Sequence, residues 1–200
     1  MVSAHFSIDM VQPNPESLVT IRNAISTDAA AIRRVMQAAF SPLLSRGYPK
    51  RAIHRTISKT WRIRDRILSD SVVLVAEIDD EVVGTVTGIE EHESMRVSSL
   101  GVHPLHQCHG VATELLETLE SIAVENGNRK IFLVTAWAMT EAIHLYRRLG
   151  YRKEGYLRWH YFGEDLIIFS KYLLQEDDDY WSYSDRKHKT LHYSWPFWLF

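Results

Sequence analysis

The chain has 200 residues, of which 46% are hydrophobic, so it is long and apolar enough to bury a core within one domain. Its formal net charge of −2 gives no reason to expect nucleic acid or an anionic membrane as the main partner. The single cysteine excludes an internal disulfide and is typical of a reducing compartment, so a cytoplasmic location is expected.

Residues 1–16 precede the first predicted element. They lack the basic start and the apolar centre of a signal peptide, and they contain Pro13 and Pro15, so they are predicted to be a loose leader. The chain has no run of about 18 apolar residues, so membrane insertion is not expected. One folded domain is predicted over residues 17–174.

The first part of this domain is predicted to be a strand followed by helices. Residues 18–24 are typical of a strand, and residues 29–40 have the apolar spacing of an amphipathic helix. A loop over residues 41–49 contains two prolines and a glycine, and a second helix is predicted over residues 50–68. Its predicted apolar face consists of Ile53, Ile57, Trp61, Ile67 and Leu68.

The opposite face of this second helix is strongly basic. Seven cationic side chains contribute to it: Lys50, Arg51, Arg55, Lys59, Arg62, Arg64 and Arg66. Two interpretations are open. The surface attracts an acidic substrate or a coenzyme phosphate, or it is simply a solvated helix face.

The remainder of the domain contains six predicted strands and two predicted helices. Apolar runs and flanking turn residues predict strands over residues 72–78, 82–89, 98–102, 129–136, 151–161 and 165–174. Residues 90–96 are interpreted as a polar connection. Helical spacing predicts helices from Val111 to about residue 125 and over residues 141–149.

The stretch around Gly110 indicates an anion site. A short strand stops at His103-Pro104, because proline has no N–H to donate to a sheet. A polar loop with Gly110 then leads into the helix that begins near Val111. Unpaired backbone N–H groups and the helix dipole at such an N-terminus favour a bound phosphate.

Two blocks of sequence resemble the GCN5-related N-acetyltransferase (GNAT) superfamily. Gln107-x-x-Gly110-x-Ala112 resembles its Q/R-x-x-G-x-G/A pyrophosphate signature, and residues 100–104 (LGVHP) resemble its central strand. Residues 142–151 (AIHLYRRLGY) resemble its A-x-x-L-Y-x-x-x-G-F block. The resemblance implies a mixed α/β (α+β) GNAT fold, with a mostly antiparallel central sheet of about seven strands flanked by about four helices.

The resemblance also implies an acetyl-CoA-dependent N-acetyltransferase that acetylates a primary amine, in a small molecule or a peptide, by direct attack in a ternary complex. The backbone of Leu100 and Val102 would pair with the pantetheine arm, and backbone N–H groups from Cys108 through Thr113 would hold the pyrophosphate. The full set implied in coenzyme binding is Leu100, Gly101, Val102, Gln107, Cys108, His109, Gly110, Val111, Ala112, Thr113, Met139 and Tyr146.

Tyr146 is the residue that the resemblance implies as the general acid. A phenol with a pKa near 10 carries its proton at neutral pH, so it can protonate the departing thiolate. The same residue also fits the apolar face of its predicted helix, and a purely structural role is the alternative. The sequence does not assign the general base. Glu90, Glu91 and Glu93 are candidates that would work through a water molecule, with Glu90 or Glu91 preferred, and a simple solvent-facing position is the alternative for each.

Three departures from the family pattern have consequences. Met139 stands where the family has an asparagine, and Cys108-His109 stand where its phosphate loop carries arginine. Histidine is only partly charged near neutral pH, so weaker or pH-dependent coenzyme binding is expected. These departures favour the alternative of a catalytically weak or inactive acyl-CoA-binding regulatory module. Val134 occupies the place where ribosomal-protein alanine acetyltransferases carry a glutamate.

Other chemistries in this loop are less consistent with the sequence. Cys108 is a candidate catalytic thiol, but no His-Asp pattern surrounds it, which favours a bystander. The spacing of His103, His106 and His109, interrupted by Pro104, matches known ligand pairs poorly, so no metal is expected.

Residues 175–200 form a tail that is first acidic and then rich in aromatic residues. So many aromatic side chains do not suit a solvated disordered segment. The tail is predicted to pack on its own domain or on a second copy, which would form a homodimer. The expected partners are therefore acetyl-CoA, an amine acceptor and a second subunit.

Overall fold

The computed structural model describes residues 19–173, which form one seven-stranded sheet with helices on its faces. The strands are β1 (Thr20–Asn23), β2 (Val72–Ile78), β3 (Glu81–Glu91), β4 (Ser94–Val102), β5 (Lys130–Ala136), β6 (Arg152–Tyr161) and β7 (Glu164–Tyr172). Their order in the sheet is β1-β2-β3-β4-β5-β7-β6, and every described pair is antiparallel except β4 with β5. The predicted mixed, mostly antiparallel sheet is confirmed.

The four predicted helical regions are also present, although the second is divided. The α-helices are α1 (Ala29–Phe40), α2 (Lys50–Thr56), α3 (Thr60–Ile67), α4 (Val111–Glu125) and α5 (Thr140–Arg148). Short 3-10 turns occur at Ser26–Asp28, Ser41–Leu44 and Pro104–His106.

The single helix predicted over residues 50–68 is wrong. Helix α2 ends at Thr56, and Ile57 adopts an extended conformation with φ −77° and ψ 90°. Thr56 and Ile57 are β-branched and are followed by Ser58, and all three are poor helix formers, which explains the break. Helix α3 then starts with a new phase, so Ile63 is buried while Trp61 and Leu68, which were predicted to face inward, are 55% and 72% exposed.

The polar connection predicted over residues 90–96 is also wrong, because both strands continue into it. Strand β3 extends to Glu91 and β4 begins at Ser94, so a tight turn at His92 and Glu93 joins them. An ion pair between Glu91 and Arg96 and the burial of Met95 stabilise this end of the hairpin. The charged residues here lie on exposed strand positions and not in a loop.

Helix α4 lies unusually close to β3 because two glycines face it. A Cβ atom on Gly84 would lie 2.9 Å from Val111 Cγ1, and one on Gly88 would lie 2.7 Å from Leu119 Cδ1. Real Cβ atoms essentially never approach other atoms so closely, so a larger residue at either position would force the buried side chains of α4 to move. The contact fixes the N-terminal end of α4 against the middle of the sheet.

Two predicted segments lie outside the described residues, namely the leader over residues 1–16 and the aromatic tail over residues 175–200. Packing of the tail on a second copy therefore stays a prediction. Among residues 19–173, no helix is both long enough and apolar enough to cross a lipid bilayer.

Replacement of Gly88 by alanine should destabilise the domain. The added methyl group would lie 2.6 Å from Met95 Sδ and 2.7 Å from Leu119 Cδ1, and both side chains are fully buried. Overpacking of this kind should lower the free energy of unfolding by about 1–3 kcal/mol. Gly155→Ala is the matched control in β6, where the nearest atom is 3.5 Å away. Urea denaturation at equilibrium measures both, and equal stability of the two variants would refute the close contact.

Candidate functional site

The parallel strands β4 and β5 separate halfway along their length. Residues Ser94–Val97 of β4 pair with residues Lys130–Leu133 of β5, and no pairing between the two strands continues beyond these residues. From residue 99 to residue 102, β4 is paired only with β3 among the described residues, and Ser98 lies at a bulge between the two registers. One edge of residues 98–102 is therefore without a strand partner, and we call it the open edge.

The backbone groups of Leu100 and Val102 point toward this open edge. The backbone N–H of His103 donates to the Val83 carbonyl on β3, at 2.8 Å. Backbone directions alternate along a strand, so Gly101 also faces β3, whereas Leu100 and Val102 face away from it. The Val102 carbonyl accepts a hydrogen bond from Gln107 Nε2 at 3.0 Å, which is consistent with this direction. Backbone pairing by Leu100 and Val102 is thus geometrically feasible, and it stays a prediction.

The loop after β4 presents a set of free N–H groups at the start of α4. Gly110 is the residue before the helix and has φ +87°, a conformation that suits glycine. Five consecutive backbone N–H groups have no acceptor within residues 19–173: those of Cys108, His109, Gly110, Val111 and Ala112. Thr113 differs from the expectation, because its N–H already donates to the Gly110 carbonyl at 2.8 Å.

This loop attracts anions mainly through its backbone. No lysine or arginine occurs between residues 103 and 113. Burial lowers the pKa of His106, and the neighbouring His103 and His109 lower it further, so His106 is neutral near pH 7. His109 is exposed and its Nδ1 lies 2.7 Å from the Gln107 carbonyl. The free N–H groups and the helix dipole therefore carry most of the positive potential.

The cysteine and the histidines of this region lie on the connection between β4 and α4. Cys108 is an exposed free thiol. Within the described part of the chain, no group of three or more His, Cys, Asp or Glu side chains could hold a metal ion.

Tyr146 lies on the buried face of α5 beside Ile143. Its ring is 6% exposed and packs at 5.8 Å from the Tyr151 ring and 6.1 Å from the Phe169 ring. Its hydroxyl has no hydrogen-bond partner among the described residues. Burial raises the pKa of Tyr146 above the usual range of a phenol, so it keeps its proton at neutral pH. The structural and the chemical interpretations of this residue are therefore compatible.

Residues from three separate segments contribute to the main core of the domain. Val102, Val111 and Tyr146 belong to one buried cluster, and Leu100 and Ala112 pack against it. The sequence predicted all five as parts of one site. Met139 lies just before α5, where its sulfur accepts a 3.5 Å hydrogen bond from Thr135 Oγ1.

Glu90 and Glu91, the candidate bases, lie at the hairpin end of β3 and β4. They pair with Met95 and Ser94, and Glu90 Oε1 accepts a 2.6 Å hydrogen bond from Asn126. Along β4, Met95 is three residues from Ser98, where the open edge begins, which corresponds to about 10 Å. The role of Glu90 or Glu91 as the base stays a prediction.

The loop over residues 41–49, helix α2 and the β6–β7 turn converge near the end of β5. Tyr48 and Ile53 are buried in a second cluster, and Tyr161 packs against it with its hydroxyl 3.4 Å from the Ala52 carbonyl. Burial raises the pKa of Tyr48 to about 12, and the nearby Glu164 contributes to this shift. The sequence predicted these segments separately, and only tertiary packing brings Tyr48 and Glu164 near each other.

The family model described as Acetyltransferase (GNAT) family matches residues 32–151, which is more than half of the chain. Among solved structures, the ribosomal-protein-S18-alanine N-acetyltransferase from Escherichia coli is similar at 18% identity and a TM-score of 0.67. That comparison covers 82% of this chain and 100% of the other.

Two further similar structures are complexes with coenzyme A or acetyl-CoA. The PaiA N-acetyltransferase from Thermoplasma acidophilum, in complex with coenzyme A, has 16% identity and a TM-score of 0.68 over 78% of this chain and 99% of its own. YncA from Salmonella typhimurium, a putative acetyltransferase with its cofactor acetyl-CoA, has 23% identity and a TM-score of 0.64 over 80% and 96%. At these identities, the similarity shows a shared fold.

Proposed function

The chain belongs to the GNAT acetyltransferase family, and we propose that it transfers the acetyl group of acetyl-CoA to a primary amine by direct attack in a ternary complex. The observation that supports this most is that the open edge of β4 leads directly into the free N–H groups before α4, with Tyr146 in the core that these two elements share. The coenzymes described for the PaiA and YncA structures support the choice of acyl donor.

In this proposal the coenzyme binds along the gap between β4 and β5. Its pyrophosphate accepts hydrogen bonds from the backbone N–H groups of residues 108–112, where the small Gly110 and Ala112 allow close approach. Its pantetheine arm pairs with the backbone of Leu100 and Val102, much as an added strand would. The Val102 carbonyl already accepts from Gln107, so this bond must be shared or exchanged.

The reaction then needs few groups from the protein. The nitrogen of a neutral amine attacks the thioester carbon and forms a tetrahedral intermediate. The C–S bond breaks, the thiolate takes the proton of the Tyr146 hydroxyl, and the nitrogen loses its extra proton to solvent. Tyr146 recovers a proton from solvent, so the products are an amide and free coenzyme A.

Tyr146→Phe should lower kcat by about 100-fold or more, because the thiolate loses its proton donor. Affinity for acetyl-CoA, measured by calorimetry, should stay within about twofold because phenylalanine retains the buried ring.

Burial raises the pKa of Tyr146, so ionisation of this residue should cause no loss of kcat in the wild type up to about pH 10. Thiol release at saturating acetyl-CoA measures kcat.

Tyr151→Phe is the matched control, since this buried tyrosine packs directly against Tyr146. Its turnover should equal that of the wild type. Unchanged turnover in Tyr146→Phe would mean that Tyr146 is only a core residue. If acetyl-CoA binds but no amine causes release of free coenzyme A, the result would instead support an inactive acyl-CoA-binding module.

Acetyl-CoA should protect Cys108 from alkylation. This thiol is exposed, it is the only cysteine in the chain, and it lies within the proposed pyrophosphate loop. Saturating acetyl-CoA should slow its reaction with N-ethylmaleimide by about tenfold, as followed by intact-mass spectrometry. The acetyl thioester of N-acetylcysteamine lacks a pyrophosphate and should not protect. An unchanged rate while acetyl-CoA is bound would exclude this loop as the pyrophosphate site.

A further inference from the structure

A recess lies behind β4, on the face of the sheet that α1 and α3 cover. Its polar lining consists of Thr56, Ser58, Arg66, Thr87 and Ser99, and the remainder of its wall is apolar. Gly101 shows that this is the face opposite α4, because a Cβ atom there would meet Met36 of α1 at 2.7 Å. The recess is therefore separate from the loop that precedes α4.

Arg66 is a half-buried cation without a matching anion. No acidic side chain forms an ion pair with it among residues 19–173, and the nearby Arg96 is already paired with Glu91. Burial lowers the pKa of Arg66, and the positive charge of Arg96 acts in the same direction. An arginine remains charged even so. A partly desolvated charge of this kind is costly unless a ligand supplies an opposite charge.

Hydroxyl groups beside Arg66 complete the set of hydrogen-bond donors. Ser99 Oγ donates to Thr87 Oγ1 at 3.1 Å, which leaves the Thr87 hydroxyl hydrogen available. The Ser58 hydroxyl has no hydrogen-bond partner within the described part of the chain. A planar guanidinium and two hydroxyl donors match the oxygen atoms of a carboxylate.

The recess also lies close to the open edge. Ser99 faces the recess, and the next residue, Leu100, turns its backbone groups toward that edge. Successive residues of a strand are about 3.3 Å apart. The recess is small, about 20 Å³, so only one end of a ligand would enter it, at a position next to the open edge.

The basic surroundings favour the same kind of ligand. Among the described residues, none of the other cationic side chains of α2 and α3 forms an ion pair, and Arg62 stacks instead on the exposed Trp61. This uncompensated positive charge attracts anionic molecules toward that face.

We propose that the recess binds the carboxylate of the acceptor, with Arg66 as its ionic partner, so that the acceptors are primary amines that carry a carboxylate. Amino acids are the simplest members of this class. The proposal rests on the acetyl transfer proposed above and specifies the substrate class for it.

Matched acceptor pairs test this inference, for example leucine against 3-methylbutylamine and lysine against 1,5-diaminopentane. Arg66→Gln should lower kcat/KM for the carboxylate member by about 10–100-fold, because a charge-assisted hydrogen bond is lost, and leave the simple amine within about twofold. Arg64→Gln is the control, since it removes the same charge from an exposed position of α3. It should affect both members of a pair equally.

A binding measurement separates this proposal from the acetyl transfer itself. Leucine should raise the Tm of the wild type and of Arg64→Gln, but not that of Arg66→Gln. If this pattern appears while no amine is acetylated, the recess is supported and the acetyl transfer fails. If amines are acetylated but Arg66→Gln and Arg64→Gln lower kcat/KM for the carboxylate acceptor equally, the recess proposal is overturned and the acetyl transfer is retained. The same conclusion follows if O-phosphoethanolamine is a better acceptor than β-alanine.

Discussion

The separation of two parallel strands is the feature on which the candidate site depends. Strands β4 and β5 hold together where Met95, Val97, Ile131 and Leu133 are buried, and they part directly afterward. A parallel pair needs a crossover connection, and α4 provides it. The crossover begins at the carboxyl end of β4, so the N-terminus of the helix lies beside the strand edge that the separation leaves unpaired. Strand topology therefore brings backbone acceptors and backbone donors to one place.

The sheet and its helices then fix this arrangement through close packing. Gly84 and Gly88 allow α4 to approach β3, while Gly101 allows α1 to approach β4 from the opposite side. Small residues in the central strands thus hold helices on both faces near the gap. Because α5 follows β5, it adds Tyr146 to the same core. The result is a site built mostly from rigid elements, which is the arrangement that favours precise positioning of a substrate.

Much of this organisation could be predicted from the sequence, because it depends on local patterns. The buried strand at Val72–Ile78, the helix start after Gly110 and the inward position of Tyr146 follow from apolar spacing and turn residues. The break after Thr56 could not be predicted from spacing, because the apolar residues of α2 and α3 imitate one continuous helix. Glu90 and Glu91 were misplaced for a related reason: acidic residues resemble a loop, although here they lie on an exposed strand end.

The residues whose position depends on tertiary packing were harder to predict. Arg66 belonged to a run of seven similar cations, and only the packing of α3 on α1 and β2 distinguishes it from its neighbours. Tyr48 and Glu164 are far apart in the sequence and meet only when α2 contacts the β6–β7 turn. A pattern can identify which face of an element is charged, but the burial of one particular charge depends on tertiary contacts.

The hydrogen bond between Gln107 and the Val102 carbonyl has a consequence for the behaviour of the protein before any ligand arrives. An unpaired strand edge is a template to which another chain can add a strand, and this is a common beginning of aggregation. The Gln107 amide occupies one of the acceptors at the end of the open edge, at 3.0 Å. The same side chain that resembles part of a pyrophosphate signature therefore leaves fewer acceptors on the open edge to which another chain could pair.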